Sequence, residues 1–352
     1  MSLTPFEHPF LSGLLGDDEI TSLFSAEADI DAMIRFETAL AQAEADCGIL
    51  AKDDAIAIIE GLSVFAPDIA ALKSGVSKDG VVIPELVRQM RQAVAAPARD
   101  KVHFGATSQD AIDTSLVLRL KAATDILAGR LAATVAGLAT LSERDGQRPL
   151  MGYTRMQAAI PITVFDRICA WSAPLERTAA RLADFAAHGF AVQFGGAAGT
   201  LEKLGDSGPA VRAALATRLG LVDRVQWHSQ RDTLAEFAGL LSLITGSLGK
   251  FGQDVALLAE MGSAIRMSGG GGSSAMPHKQ NPVSAEVLVT LARFNAAQLA
   301  AMHQALVHEQ ERSGAAWTLE WLVLPQMTAA TGVALLTSLR LLGQIEKLGK
   351  TE

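Results

Sequence analysis

Aromatic side chains are scarce in this chain, 5% of 352 residues, although 49% of the sequence is apolar. A core short of rings must be filled by Ala, Leu, Val and Ile. That disfavours a β-sandwich, whose interior leans on aromatic and β-branched residues, and favours close helix–helix packing. Cysteine is rarer still. Cys47 and Cys169 form no CxxC pair, and two thiols cannot staple a chain this long, so the expected setting is a reducing cytoplasm. Positive charge is also short: the formal net charge of −8 excludes a general nucleic-acid footprint. It does not exclude anionic substrates, which respond to local fields. No uninterrupted apolar run reaches the length of a membrane helix, so no membrane association is expected. The opening MSLTPFEHPF lacks a basic region followed by an apolar run, so no signal peptide is expected.

What the chain does have is helical periodicity. In SAEADIDAMIRFETALAQAEADCGI, Ile30, Met33, Ile34, Glu37 and Leu40 fall on one face, and Ser25 is placed to cap the helix. Residues 51–100 read as shorter helices broken at Pro67, Gly75, Gly80 and Pro84. A very long helix is predicted from Thr107, which with Asp110 has the form of a capping box, to the stop at Gly146 and Pro149. Further long helices are expected over about 162–188, bent at Pro174, then 229–262, 281–312 and 317–347. No repeat, linker or convincing strand run is visible. Long helices with apolar residues on more than one face need partners all round. A monomeric bundle meets part of that demand, and a symmetric oligomer of packed central helices meets the rest.

One stretch does not fit this pattern. SGGGGSSAMPHKQNP, residues 268–282, sets four glycines before paired serines. A glycine run costs backbone entropy and adds no packing, which suits either a surface linker or a segment that a ligand must approach closely. Asn281 as N-cap and Pro282 at the first helical position would start the next helix. Its unpaired N–H groups form an anion site, and Lys279 adds a full charge just before them. The loop lacks GxxxxGK[ST], and no strand precedes it, so neither a phosphate nor a dinucleotide loop is expected.

GSSAMPHKQNP resembles the signature of the fumarase/aspartase superfamily, and HFGATSQDAIDTS and GYTRMQAAIPIT resemble its other characteristic stretches in the same order. VHFGATSQDAIDT, FGGAAGTL, WHSQRDTLAEF and GGSSAMPHKQNPV are similar to its cycloisomerase branch. That resemblance implies an all-α, long-helix homotetramer with active sites shared between subunits, no cofactor and a small polyanionic substrate. The N-terminal helical domain would cover residues 1–105 and the central bundle 106–345. The usual small C-terminal domain would be largely absent, with 346–352 as its remnant. The implied reaction, in aromatic catabolism, closes 3-carboxy-cis,cis-muconate or its 3-sulfo analogue to a lactone. A fumarate-releasing β-elimination of the adenylosuccinate lyase kind is the alternative.

In lactone closure the attacking carboxylate is already ionised at neutral pH, so the site needs one proton donor and a means of stabilising developing charge. Ser274 is the expected donor, with Ser273 the alternative. Lys279 and Asn281 stabilise charge, and Met276 is placed near substrate or merely packs. His103 is a substrate contact or proton relay. Thr107, Ser108 and Gln109 can bind a carboxylate, or Thr107 and Ser108 only cap the helix. Arg231 reads as an anion ligand, or as a salt bridge to Asp232 or Glu236. In GYTRMQ, beside Thr154 and Gln157, Arg155 stands where many related lyases carry histidine. A permanently protonated arginine is a poor proton shuttle and suits an anion-binding role. His303 and His308 are five apart and do not share a helix face, so no metal site is expected.

Overall fold

The computed structural model describes residues 4–272, 276 and 280–350. Two short helices, α1 (Ser12–Leu15) and α2 (Asp18–Ser22), precede α3 (Ala26–Asp46). Next come α4 (Lys52–Ser63), α5 (Ile69–Asp79) and α6 (Ile83–Ala93). The long elements are α7 (Ser108–Asp145), α8 (Val164–His188), α10 (Asp232–Met261), α11 (Val283–Gln304) and α12 (Gly314–Gln344), with α9 (Gly208–Leu219) between α8 and α10. Ser25 accepts from the Ala28 N–H at the start of α3, and Thr107 forms the expected capping box with Asp110. Pro174 lies inside α8. The all-α class and the long-helix bundle are as the residues indicated.

The strands are a correction. Pro149–Thr154 (β1) pairs antiparallel with Gln157–Thr163 (β2), and Ile265–Met267 (β3) pairs with Ile345–Leu348 (β4). The first two are short, mostly apolar runs with no clear period of two, which periodicity cannot separate from helix, and the last two are only three and four residues long. The register of the first hairpin shifts at Gly152, where a Cβ would sit 3.0 Å from the Ile160 carbonyl oxygen. The last long helix therefore ends at Gln344, and the residues after it form a strand.

By length and composition α7, α10 and α12 are apolar enough to cross a membrane, which a search for uninterrupted runs does not detect because hydroxyl and charged residues punctuate them. Those hydroxyls are satisfied inside the bundle: Thr331 donates to the Met327 carbonyl at 2.8 Å, and Thr134 and Ser338 bond across α7 and α12 at 2.9 Å. In α12, 72% of the apolar window is buried within this chain, but in α7 only 33% is. Helix α12 packs on α7, α10 and α11, and α3 packs on α7 and α9. The exposed side of α7 carries Ala128, Gly129, Ala132, Ala133, Ala136 and Ala139, small residues over which another helix can approach closely.

Candidate active site

The start of α7 is built around Asp110. This fully buried carboxylate accepts the Thr107 N–H at 2.9 Å as the closing half of the capping box. It also accepts the N–H groups of Gly195 and Gly196 at 2.9 and 3.0 Å, and contacts His228 Nε2 at 2.9 Å. The glycine-rich turn FGGAAGT is thus clamped onto the helix start. It must be glycine there: a Cβ on Gly195 would lie 2.7 Å from Gln226 Cβ, and Gly196 has φ +70° beside the Gly105 carbonyl. Thr107 and Ser108 stay half-buried at this positively polarised end.

His103 precedes the helix with φ 65°, a conformation that strains any residue with a side chain. Its Nδ1 lies 2.5 Å from Glu37 Oε1 of α3. Burial is the strongest single influence and opposes the imidazolium. The charges of Glu37 and Asp110 and the Glu37 hydrogen bond outweigh it, so the His103 pKa is raised above 6.5.

Gln109 and Arg231 are placed differently from expectation. Gln109 is fully buried; its amide donates to Asp113 and to the His228 carbonyl, and its oxygen accepts from Arg312 Nε at 2.8 Å. Both amide donors are used, so none is left to bind an anionic substrate. Arg231, 2% exposed, binds Asp113 through Nη1 at 2.5 Å and Glu320 through Nε at 2.8 Å, and lies 4.7 Å from the Trp227 ring centre. Neither Asp232 nor Glu236 is its partner. Both residues tie the start of α7 to other elements, Gln109 to the segments holding His228 and Arg312, and Arg231 to α12. The planar fork of arginine suits such a double pairing, and Trp317 Nε1 satisfies the outer oxygen of Asp113 at 2.8 Å.

Thr154, Arg155 and Gln157 form the tip of the β1–β2 hairpin, with Thr154 paired to Gln157 and both Arg155 and Met156 at positive φ, 47° and 64°. Residues 153–161 are all exposed, among them Tyr153, Met156 and Ile160, so the hairpin projects as an arm with an apolar skin. The hairpin root and the β3–β4 pair share one end of the bundle: Lys350 N–H donates to the Pro149 carbonyl at 3.0 Å, and Leu348 N–H to Asp145 at 2.9 Å.

The 268–282 loop leaves from that same end. Its base is closed by reciprocal bonds between Gly271 and Asn281, at 3.0 and 2.9 Å. Asn281 is therefore a bridge residue, and Pro282 occupies the N-cap position of α11. Gly269 and Gly270 have φ of 71° and 133°, which only glycine adopts readily. Met276 is 43% exposed. Ser273, Ser274 and Lys279 lie outside the described residues.

The candidates thus fall into two groups. His103, Thr107, Ser108, Gln109 and Arg231 gather at the N-terminal end of α7. Thr154, Arg155, Gln157 and Asn281 lie at its other end, 38 helical residues away, roughly 57 Å at about 1.5 Å per residue. Glu37, Asp110, Asp113, Glu320 and Arg312 were not singled out from sequence for the site. Glu37 could have been, since a carboxyl within an apolar stripe is an anomaly that calls for a buried partner.

A long-helix bundle with these motif segments at its helix ends has known counterparts. Residues 16–295 match the family model described as Lyase, and the chain belongs to that family, within the fumarase/aspartase superfamily. More particularly, it is 39% identical over 333 residues to the 3-carboxy-cis,cis-muconate cycloisomerase of Pseudomonas aeruginosa, a match covering 92% of this chain and 72% of that protein. The protein of the same name from Bradyrhizobium diazoefficiens is 36% identical, over 93% of this chain and 74% of its own. Among solved structures, the 3-carboxy-cis,cis-muconate lactonizing enzyme from Pseudomonas putida superposes with a TM-score of 0.90 at 35% identity, covering 96% of this chain and 77% of that one.

Proposed function

We propose that this chain is a cofactor-independent cycloisomerase that closes 3-carboxy-cis,cis-muconate, or its 3-sulfo analogue, to a muconolactone. The carboxylate named as nucleophile adds to the carbon–carbon double bond, and the π pair shifts to the carbon beside another carboxylate. That carbon takes one proton from the hydroxyl of Ser274, or of Ser273, which recovers it from solvent. No leaving group departs, so no second acid is needed. The observation that carries this reading is the identity of the hairpin tip: Arg155 holds permanent positive charge where related lyases place a proton-transferring histidine. An exposed guanidinium on an arm is suited to gripping one anionic group of a polyanion.

The separation of the two groups along α7 supports a site assembled between copies. The half-buried helix start of one copy, with His103, Thr107 and Ser108, would meet the arm and loop of others. The largely uncovered apolar face of α7 and the apolar skin of the hairpin supply surfaces for such packing. We read the assembly as a soluble homotetramer, and light scattering on the purified protein tests its size.

The test of function is loss of conjugated-diene absorbance on adding 3-carboxy-cis,cis-muconate or the sulfo analogue. In deuterated water one deuterium should enter the lactone. Absence of turnover of both dienes, with fumarate released from adenylosuccinate, would replace this reading by β-elimination. Ser274→Ala should abolish turnover with fold and assembly intact.

A further inference from the structure

We propose that Glu37 is a positioning residue for the site at the start of α7: by binding Nδ1 of His103 it sets the tautomer and charge of that ring and leaves Nε2 as the nitrogen that titrates on the side facing the substrate. The inference rests on the cycloisomerase reading above, in which His103 faces the substrate.

Glu37 lies on the buried face of α3 among Met33, Phe36 and Leu40 and is 2% exposed. A carboxylate there is costly unless a partner compensates it. The partner is His103, at 2.5 Å across the junction of α3 with the segment leading into α7. The imidazole reaches it from a backbone held at φ 65°, a strained conformation of the kind that clusters at functional sites. His103 itself is largely buried, with 12% of its side chain open. A carboxylate at one ring nitrogen fixes that nitrogen as the donor and makes the other more basic, the same second-contact logic that orients histidines in triads and metal sites.

The charged groups acting on the ring are Glu37 from α3, Asp110 from α7 and Arg91 from α6. Arg91 opposes the imidazolium and the two acids favour it. Asp110 is already bonded to Thr107, Gln193, Gly195, Gly196 and His228, so Glu37 is the acid free to respond to the ring. Glu44, two helical turns along α3, stays neutral through burial at neutral pH. Glu44 therefore adds no charge of its own beside the pair. Any such ion pair raises the pH at which the ring holds its second proton; a positioning pair also makes that pH visible in the rate.

Glu37→Gln keeps the size and removes the charge. In the substrate-free protein, with histidine ring carbons labelled, the His103 signal should titrate at least one pH unit lower in E37Q than in the parent. The alkaline limb of kcat/KM should move down by a similar interval, giving a loss of tenfold or more at pH 8 with KM little changed. Glu37→Asp should restore part of that limb. An unchanged His103 titration, or an activity loss equal at every pH, would overturn the proposal. A further reading needs no variant: ring nitrogen shifts of the parent must show Nδ1 protonated throughout and Nε2 titrating, and the opposite tautomer overturns it. The titrations use no substrate, so a failure of muconate turnover would refute the reaction separately from the coupling of this pair.

Discussion

Glu44→Gln isolates the cost of a buried acid. Glu44 is 1% exposed, its Oε1 has no hydrogen-bond partner among the described residues, and Glu37 lies seven residues earlier on the same helix. Burial, with the Glu37 charge second, pushes its carboxyl up from 4.5 to about 8. The folded protein therefore keeps a proton that the unfolded chain releases above pH 4.5. Because the native state binds more protons through this window, stability falls as pH rises from about 4.5 to about 8 and levels off beyond. At about 1.4 kcal/mol per pH unit, the loss is on the order of 5 kcal/mol. A glutamine mimics the protonated acid but cannot ionise. Its amide, if left unpaired, costs about 1–3 kcal/mol, the same at every pH. The assay is thermal unfolding followed by circular dichroism from pH 5 to pH 8.5 for parent and variant. Between pH 5 and pH 8.5 about 4 kcal/mol of that loss occurs, so the parent's midpoint should fall relative to the variant's by roughly 5 °C, using about 2.1 cal/mol/K per residue. Parallel curves would mean that Glu44 is charged in the folded state or in contact with water, and the reasoning would fail.

Arg155→Ala should raise KM tenfold or more with kcat much less affected, since it removes a substrate contact and no proton donor; an unchanged KM in the diene assay would refute the anion-binding role. Arg231→Met should lower stability by about 3–5 kcal/mol by leaving Asp113 and Glu320 uncompensated, measured by denaturant unfolding. A variant that folds as stably as the parent but loses substrate affinity would instead return Arg231 to the role of anion ligand.

Helix boundaries were legible where chemistry marks them. Thr107 with Asp110, Ser25, Gly146 and Gly262 sit at or beside the ends of the long helices they punctuate. The hairpins were not legible, because PLMGYT and QAAIPIT are too short and too evenly apolar to show a period, and nothing local reveals that Arg155 and Met156 take left-handed turn conformations. In the site, residue types were readable and their use was not. Arg231 sits in HSQRD beside Asp232, an obvious neighbour, yet its partners come from α7 and α12, 118 and 89 residues away in sequence. Burial of a charge depends on which distant helix meets it, and one sequence does not contain that pairing. Asp110 showed only its local half, the capping box, while its other bonds go to a turn 85 residues later and to His228, 118 residues later.

The spacing of motifs along α7 yields a prediction that depends on no assignment of acid or base. Helix starts with His103 and Thr107 lie at one end and the arm and glycine loop at the other, 38 helical residues apart, a span of roughly 57 Å that no side chain bridges within one chain. If a working site draws its helix start from one copy and its serine loop from another, then His103→Ala and Ser273→Ala/Ser274→Ala proteins, each inactive alone, should complement when subunits are exchanged. With equal mixing, a site needs an intact helix start from one parent type and an intact loop from the other, so roughly a quarter of sites should be whole in a closed symmetric assembly. Recovered diene consumption should approach that fraction after dissociation and reassembly, and stay at zero when the two proteins are mixed without exchange. If exchange is verified by mass and activity is still absent, the loop must reach a helix start within its own chain, and the two ends of α7 would have to be brought together by a rearrangement that the packed length of this helix does not permit.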